Sequence, residues 1–251
     1  MSNRMKQLLS ILLCFAVYST FINWKVSLLL IVSVAFHEQS HLWAAKHLKL
    51  RTNLFYMIPF VGGVALINDR YKRYSQQAFV AIMGPVGGTV LALTTSLAWY
   101  LTGWQVLAPA AFYMSLMNLF NLAPLAMLDG GQLLDTITYS FNRTLGLVVH
   151  IVSTAVAIVL ITWKGNMTIG ILIAVFGIPQ IITEVNNWRA YRAGTFYLCT
   201  QNYLFPPRKS SWKEILLTVG AWATTVFVLF ANCAFIVSGA KIEDMLLLFS
   251  K

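Results

Sequence analysis

A succession of long apolar runs dominates this chain, at residues 7–24, 26–46, 77–102, 105–127, 144–163, 167–187 and 214–239. Each is near the roughly 20 residues that a helix needs to cross a bilayer. Lipid offers the backbone no hydrogen-bond partner, so runs of this length must satisfy their amides internally, as helices. The expectation is an all-α polytopic membrane protein with six or seven transmembrane helices. Composition agrees, because only 10% of residues are charged and mean hydropathy is +0.70, whereas soluble domains are about 25% charged. A net charge of +10 would suggest nucleic acid in a soluble protein. Here Lys and Arg lie between the apolar runs, where topology explains them, and nucleic acid is excluded as a partner.

Those charges also orient the chain. With the amino terminus cytoplasmic, only Lys25, Lys164, Lys241 and Lys251 of the 18 basic residues fall outside. The expectation is a multi-pass protein of the plasma membrane. Arg4 and Lys6 before the first run resemble a signal peptide, but no small-residue cleavage site is evident and a second run follows at once, so the first span is read as uncleaved. Cys14, Cys199 and Cys233 are too scattered for a disulfide framework or a CxxC metal site. No internal repeat or stretch long enough for an added soluble domain is visible, so residues 1–251 read as one membrane domain.

Three segments are too short or too polar to span. Residues 53–67, NLFYMIPFVGGVALI, are apolar, but Pro59 and Gly62-Gly63 would break a helix. They read as an interfacial or re-entrant strand-like loop. Residues 189–212 are basic and aromatic, as suits a cytoplasmic interface, and 241–251 form a short outer tail.

The second run holds His37, Glu38 and His41 more than two turns inside apolar sequence. Charges at that depth are expensive and usually functional. Residues four apart share a helix face, so His37 and His41 can grip one ion, with Glu38 beside the first ligand as general base. Catalytic zinc usually takes three protein ligands. Of the remaining acids, Asp69, Glu214, Glu243 and Asp244 fall in loops or at span edges, and Glu184 near a span end. That leaves Asp129 and Asp135. Pro124 must interrupt the fourth run and Gly130-Gly131 loosen the chain, letting Asp129 turn inward from a distorted helix; Asp135 lies nearer water. His47 and His150 read as packing or interfacial residues. Gly84, Pro85, Gly87 and Gly88 suit either a thinned helix or ordinary small-residue packing. A membrane metal-ion carrier, or a catalytically inactive helix-binding protein, would use similar residues, although neither needs a glutamate between the histidines.

HEQSH at 37–41 with NLAPLAMLDG at 121–130 resembles the paired signature of the site-2 protease family of intramembrane zinc metalloproteases, HExxH and Asn-x-x-Pro-x-x-x-Leu-Asp-Gly. IPFVGG at 58–63 and IMGPVGG at 82–88 are similar to that family's Gly-Gly loop and Gly-Pro motif. The resemblance covers residues 26–135, a three-span metalloprotease core, and leaves 1–25 and 136–251 as flanking spans, interfacial segments and tail. It implies that His37, His41 and Asp129 bind Zn2+ and that Glu38 activates water. It also implies that Asn121 and Pro124 form a turn at the substrate, and that Gly62 and Gly63 lie in a substrate-binding loop. Gln39 and Ser40 depart from the family's apolar and small residues, at positions that do not ligate. The implied partners are the transmembrane segment of a protein substrate, the lipid bilayer and a regulatory membrane protein; the second and fourth runs both lead inward to their motifs, which puts the active site toward the cytoplasmic half. Imidazole and carboxylate also suit divalent metals other than zinc.

Overall fold

The computed structural model describes residues 2–59, 62–125, 128–163, 167–193 and 207–241. Its elements run α1 (Asn3–Phe21), α2 (Trp24–His47), β1 (Thr52–Ile58), β2 (Gly62–Ile67), α3 (Tyr74–Thr102), α4 (Leu107–Asn121), α5 (Asp129–Phe141), α6 (Arg143–Trp163), α7 (Met167–Arg192) and α8 (Trp212–Gly239). The all-α polytopic membrane architecture is therefore present, with one small sheet. Among the described residues, α3, α6 and α8 are long and apolar enough to cross a membrane. Helices α1, α2, α4 and α7 coincide with the other expected spans. Lys164, Cys199, Glu243, Asp244, most of the basic interface segment and the outer tail beyond residue 241 lie outside the described residues.

The described chain falls into two compact units, one of residues 1–70, 82–121 and 223–251, the other of 71–81 and 122–222. In the first, Asn23 caps α2 by accepting from the Val26 amide at 3.0 Å, which satisfies one of the open donors of a helix start. At the other end Lys49 takes a left-handed conformation, φ 58°, and the Leu50 amide closes back on the Ala45 carbonyl. This turn delivers the chain into an antiparallel hairpin that pairs Phe55 with Ala65, Tyr56 with Val64 and Met57 with Gly63. Strand alternation decides which side faces the helices. Phe55 and Met57 bury themselves with Cys14, Ile31 and Leu42, and Ala65 and Ile67 pack on the same cluster. Val64 and Leu66 point away and stay exposed. The strand-like reading of 53–67 is therefore correct. The Met57 amide donates to Ser10 Oγ at 3.2 Å, so α1 covers part of the outer edge of β1.

The second unit corrects one expectation. The fourth run was read as a helix distorted through Pro124, with Asp129 at its trailing end. Instead α4 stops at Asn121, and Asp129 opens a separate helix, α5. The physical cause is local. Pro124 supplies no amide and disfavours helical conformation in the residue before it, and the chain turns through bonds from Leu125 N to Ala123 O and from Leu128 N to Leu125 O. A Cβ on Gly130 would overlap the carbonyl oxygens of Leu122 and Ala123, so glycine is what allows the new helix to start against the end of the turn. Helices α5, α6 and α7 then pack in sequence, around Leu125, Leu128 and Ile173 with Ala157, Ile158 and Ile161 against them.

Candidate metal centre

In the first unit His37, Glu38 and His41 are all buried, at 3%, 7% and 7% exposure. One turn of α2 separates the histidines, and their Nε2 atoms face each other at 3.0 Å with rings edge to face. Two nitrogens each about 2.0–2.1 Å from one tetrahedral ion stand about 3.3 Å apart, so the pair is already close to that spacing.

The other nitrogen of His37 explains which atom is available. His37 Nδ1 lies 2.9 Å from Asn118 Oδ1, and Asn118 Nδ2 donates to the Met114 carbonyl at 2.8 Å. The second bond fixes the amide's orientation, so its oxygen faces the imidazole and can only accept. Nδ1 must then carry the proton and Nε2 the lone pair. Asn118 is fully buried, and the sequence reading missed it; its signal was an amide in the middle of an apolar run.

Glycines set how closely the other elements approach α2 and α4. An added Cβ on Gly84 of α3 would overlap His41 Nε2 and stand 2.7 Å from His37 Nε2. On Gly87 it would overlap Ser40 Oγ, and on Gly88 the Asn118 amide. In the Gly-Pro stretch of α3 the glycines let that helix pack closely on α2 and α4, the small-residue packing alternative, with each glycine meeting a different side chain. Gly63 of β2 plays the same part for the base, because a Cβ there would overlap Glu38 Cγ and stand 2.7 Å from its Oε1. Gly62 has open space around it and a φ of 110°, a conformation that favours glycine.

In the second unit Asp129 is buried in the first turn of α5, where a carboxylate complements the helix dipole. Tyr71 lies near it; burial, and then the charge of Asp129, push the Tyr71 phenol up to about 12. It remains a hydroxyl donor at neutral pH. Asn121, half-buried, and Pro124, exposed, lie in the turn before Asp129.

Asp135 is not the interfacial carboxylate that its position suggested. It is buried and takes a hydrogen bond from His150 Nδ1 at 2.8 Å, which also accounts for His150 as a packed residue. Nearby, Tyr139 donates to Glu184 at 3.0 Å. His47 stacks on Trp43 at the end of α2.

The first unit thus offers two facing imidazole nitrogens, from His37 and His41, and the second offers the buried carboxylate of Asp129. Residues 25–114 match the model of Peptidase family M50, the site-2 protease family. The matched stretch takes in HEQSH, the hairpin and the glycines of α3, and stops before Asn121. No curated protein matches the chain. Helical architecture, the HExxH helix and the family match define a membrane protein similar to metal-dependent peptidases. The resemblance to that peptidase family, read first from two short motifs, thus holds over residues 25–114.

Proposed function

We propose that this protein is an intramembrane zinc metalloprotease that hydrolyses a peptide bond in or near a transmembrane segment of a protein substrate. The observation that carries this reading is the facing pair of imidazole Nε2 atoms at 3.0 Å, with Asn118 holding the proton of His37 on the opposite nitrogen. His37, His41 and Asp129 would hold the ion, and Asn118 would fix the ring of His37. A bound zinc ion lowers the pKa of water to about 7 and polarises a carbonyl. Glu38 takes a proton from water and later delivers it to the departing amine. Its burial keeps bulk water from competing for that proton.

A substrate helix must unwind before its carbonyls can react, because they are already hydrogen-bonded. Strand β2 pairs with β1 along one edge of a two-stranded sheet, and its other edge suits capture of an extended segment by strand addition, with Val64 and Leu66 exposed beside it. Gly62 and Gly63 begin that strand beside Glu38, and Asn121 would hold the substrate peptide or its developing oxyanion at the turn made by Pro124. The basic residues favour a plasma-membrane protein with its amino terminus cytoplasmic and its site toward the cytoplasmic half.

The test is cleavage of single-span substrates by purified protein in proteoliposomes. Chelation should stop cleavage and added zinc restore it; cleavage that persists with the metal stripped would refute the reading. Asn118→Leu keeps the size but removes the acceptor. It should weaken metal affinity about 10–100-fold, the usual cost of losing a ligand's outer partner, as read by competition with a chromogenic chelator. Unchanged affinity would remove Asn118 from the site.

A further inference from the structure

The second unit carries a cavity of about 560 Å³ where Arg143, Arg192 and Lys209 converge with Trp188 and Tyr139. The three cations come from three separate parts of the chain: the start of α6, the end of α7 and the segment before α8. The described residues that line the cavity include no carboxylate. Arg192 and Lys209 are each positioned by structure around them. Arg192 lies over the Trp188 ring, 5.2 Å from its centroid. Trp188 donates from its indole nitrogen to Thr144 Oγ1 at 3.0 Å. Lys209 Nζ donates to the Phe141 carbonyl at 3.1 Å, which leaves it further protons to donate. Glu184 is near enough to Arg143 to offset part of its charge; among the described residues, no carboxylate lines the cavity beside Arg192 and Lys209.

We infer that this cavity binds the phosphate of an anionic phospholipid. Guanidinium forks and an ammonium around one hollow are the donors that a phosphate oxygen cluster takes. Basic pockets at the ends of membrane helices are where lipid headgroups lodge. The apolar margin separates a lipid from a soluble phosphate compound. Phe141, on the cavity wall, packs edge-on against exposed Trp212 at 5.1 Å. From the same rim Leu145, Val148 and Val152 run along an exposed face of α6, one of the helices able to cross the membrane. A phosphodiester in the cavity would therefore lay its acyl chains along apolar side chains, a surface that a free phosphate would leave unused.

The test uses the full-length protein exchanged into detergent with phosphatidylglycerol or phosphatidylcholine, with bound lipid counted by native mass spectrometry. Wild type should retain phosphatidylglycerol and release phosphatidylcholine. Arg192→Gln with Lys209→Gln should lower that retention at least about tenfold, given the strength of cationic contacts at a lipid surface. The charge-conserving pair Arg192→Lys with Lys209→Arg should keep most of it, which separates lost charge from lost folding. Equal retention of the two lipids, or full retention by the glutamine pair, would overturn the site. Displacement by millimolar inorganic phosphate would overturn the lipid assignment and hand the cavity to a soluble phosphate compound.

Discussion

Glu38→Gln should abolish cleavage while leaving the metal in place. Glutamine keeps the length and hydrogen-bonding shape of the side chain but cannot accept a proton at neutral pH. Loss of a positioned general base typically costs about 10²–10⁴ in rate, and the larger figure is expected here because Glu38 is 93% buried, at 7% exposure, where no solvent base can substitute. Metal content should match wild type, since Glu38 is not among the proposed ligands, His37, His41 and Asp129. The hairpin offers a second route to the same result. Gly63→Ala would drive a Cβ into the Glu38 side chain and turn the carboxylate aside without touching a ligand. Initial rates and metal stoichiometry on both variants decide the matter. A Glu38→Gln protein that cleaves within tenfold of wild type would remove Glu38 as the base.

How much of this was legible in the sequence depended on the range of the interaction that expressed it. The spans were readable because lipid forces each apolar run to satisfy its own backbone. HExxH was readable because a four-residue spacing needs only one helix. The strand-like character of 53–67 was readable because Pro59 and Gly62-Gly63 break a helix; that the segment pairs with itself as a hairpin was not. Asn118 was not, since its partner His37 is 81 residues away and an amide in an apolar run carries no mark of what it meets. The same is true of Asp135, which looked solvent-facing until His150 was found against it. Helix α5 was missed for another reason: the fourth apolar run ends at 127, DGGQLLDTITYSF has no long apolar stretch to mark it as a span, and its start is set by Gly130 closing on the 122–123 backbone.

The glycines of α3 supply the sharpest test of this geometry, because neighbouring positions on one helix should behave differently. Gly84→Ala places a methyl where the two Nε2 atoms meet. The rings must separate or α3 must move back, and overpacking of this kind costs about 1–3 kcal/mol. Since each 1.4 kcal/mol is a factor of ten, metal affinity should fall by roughly ten- to a hundredfold, and cleavage with it. Gly87→Ala presses on the Ser40 side chain instead, on the turn between the ligands but not on either ring, so it should disturb packing while metal affinity stays near wild type. Gly220→Ala in α8 meets nothing within 4 Å and should stabilise that helix by about 0.5–1 kcal/mol, the ordinary gain of alanine over glycine. Chelator competition, with circular dichroism to confirm retained helix, reads all three. If Gly84→Ala held metal as tightly as Gly87→Ala, α3 would not close on the histidines, and the packed metal centre described above would be wrong.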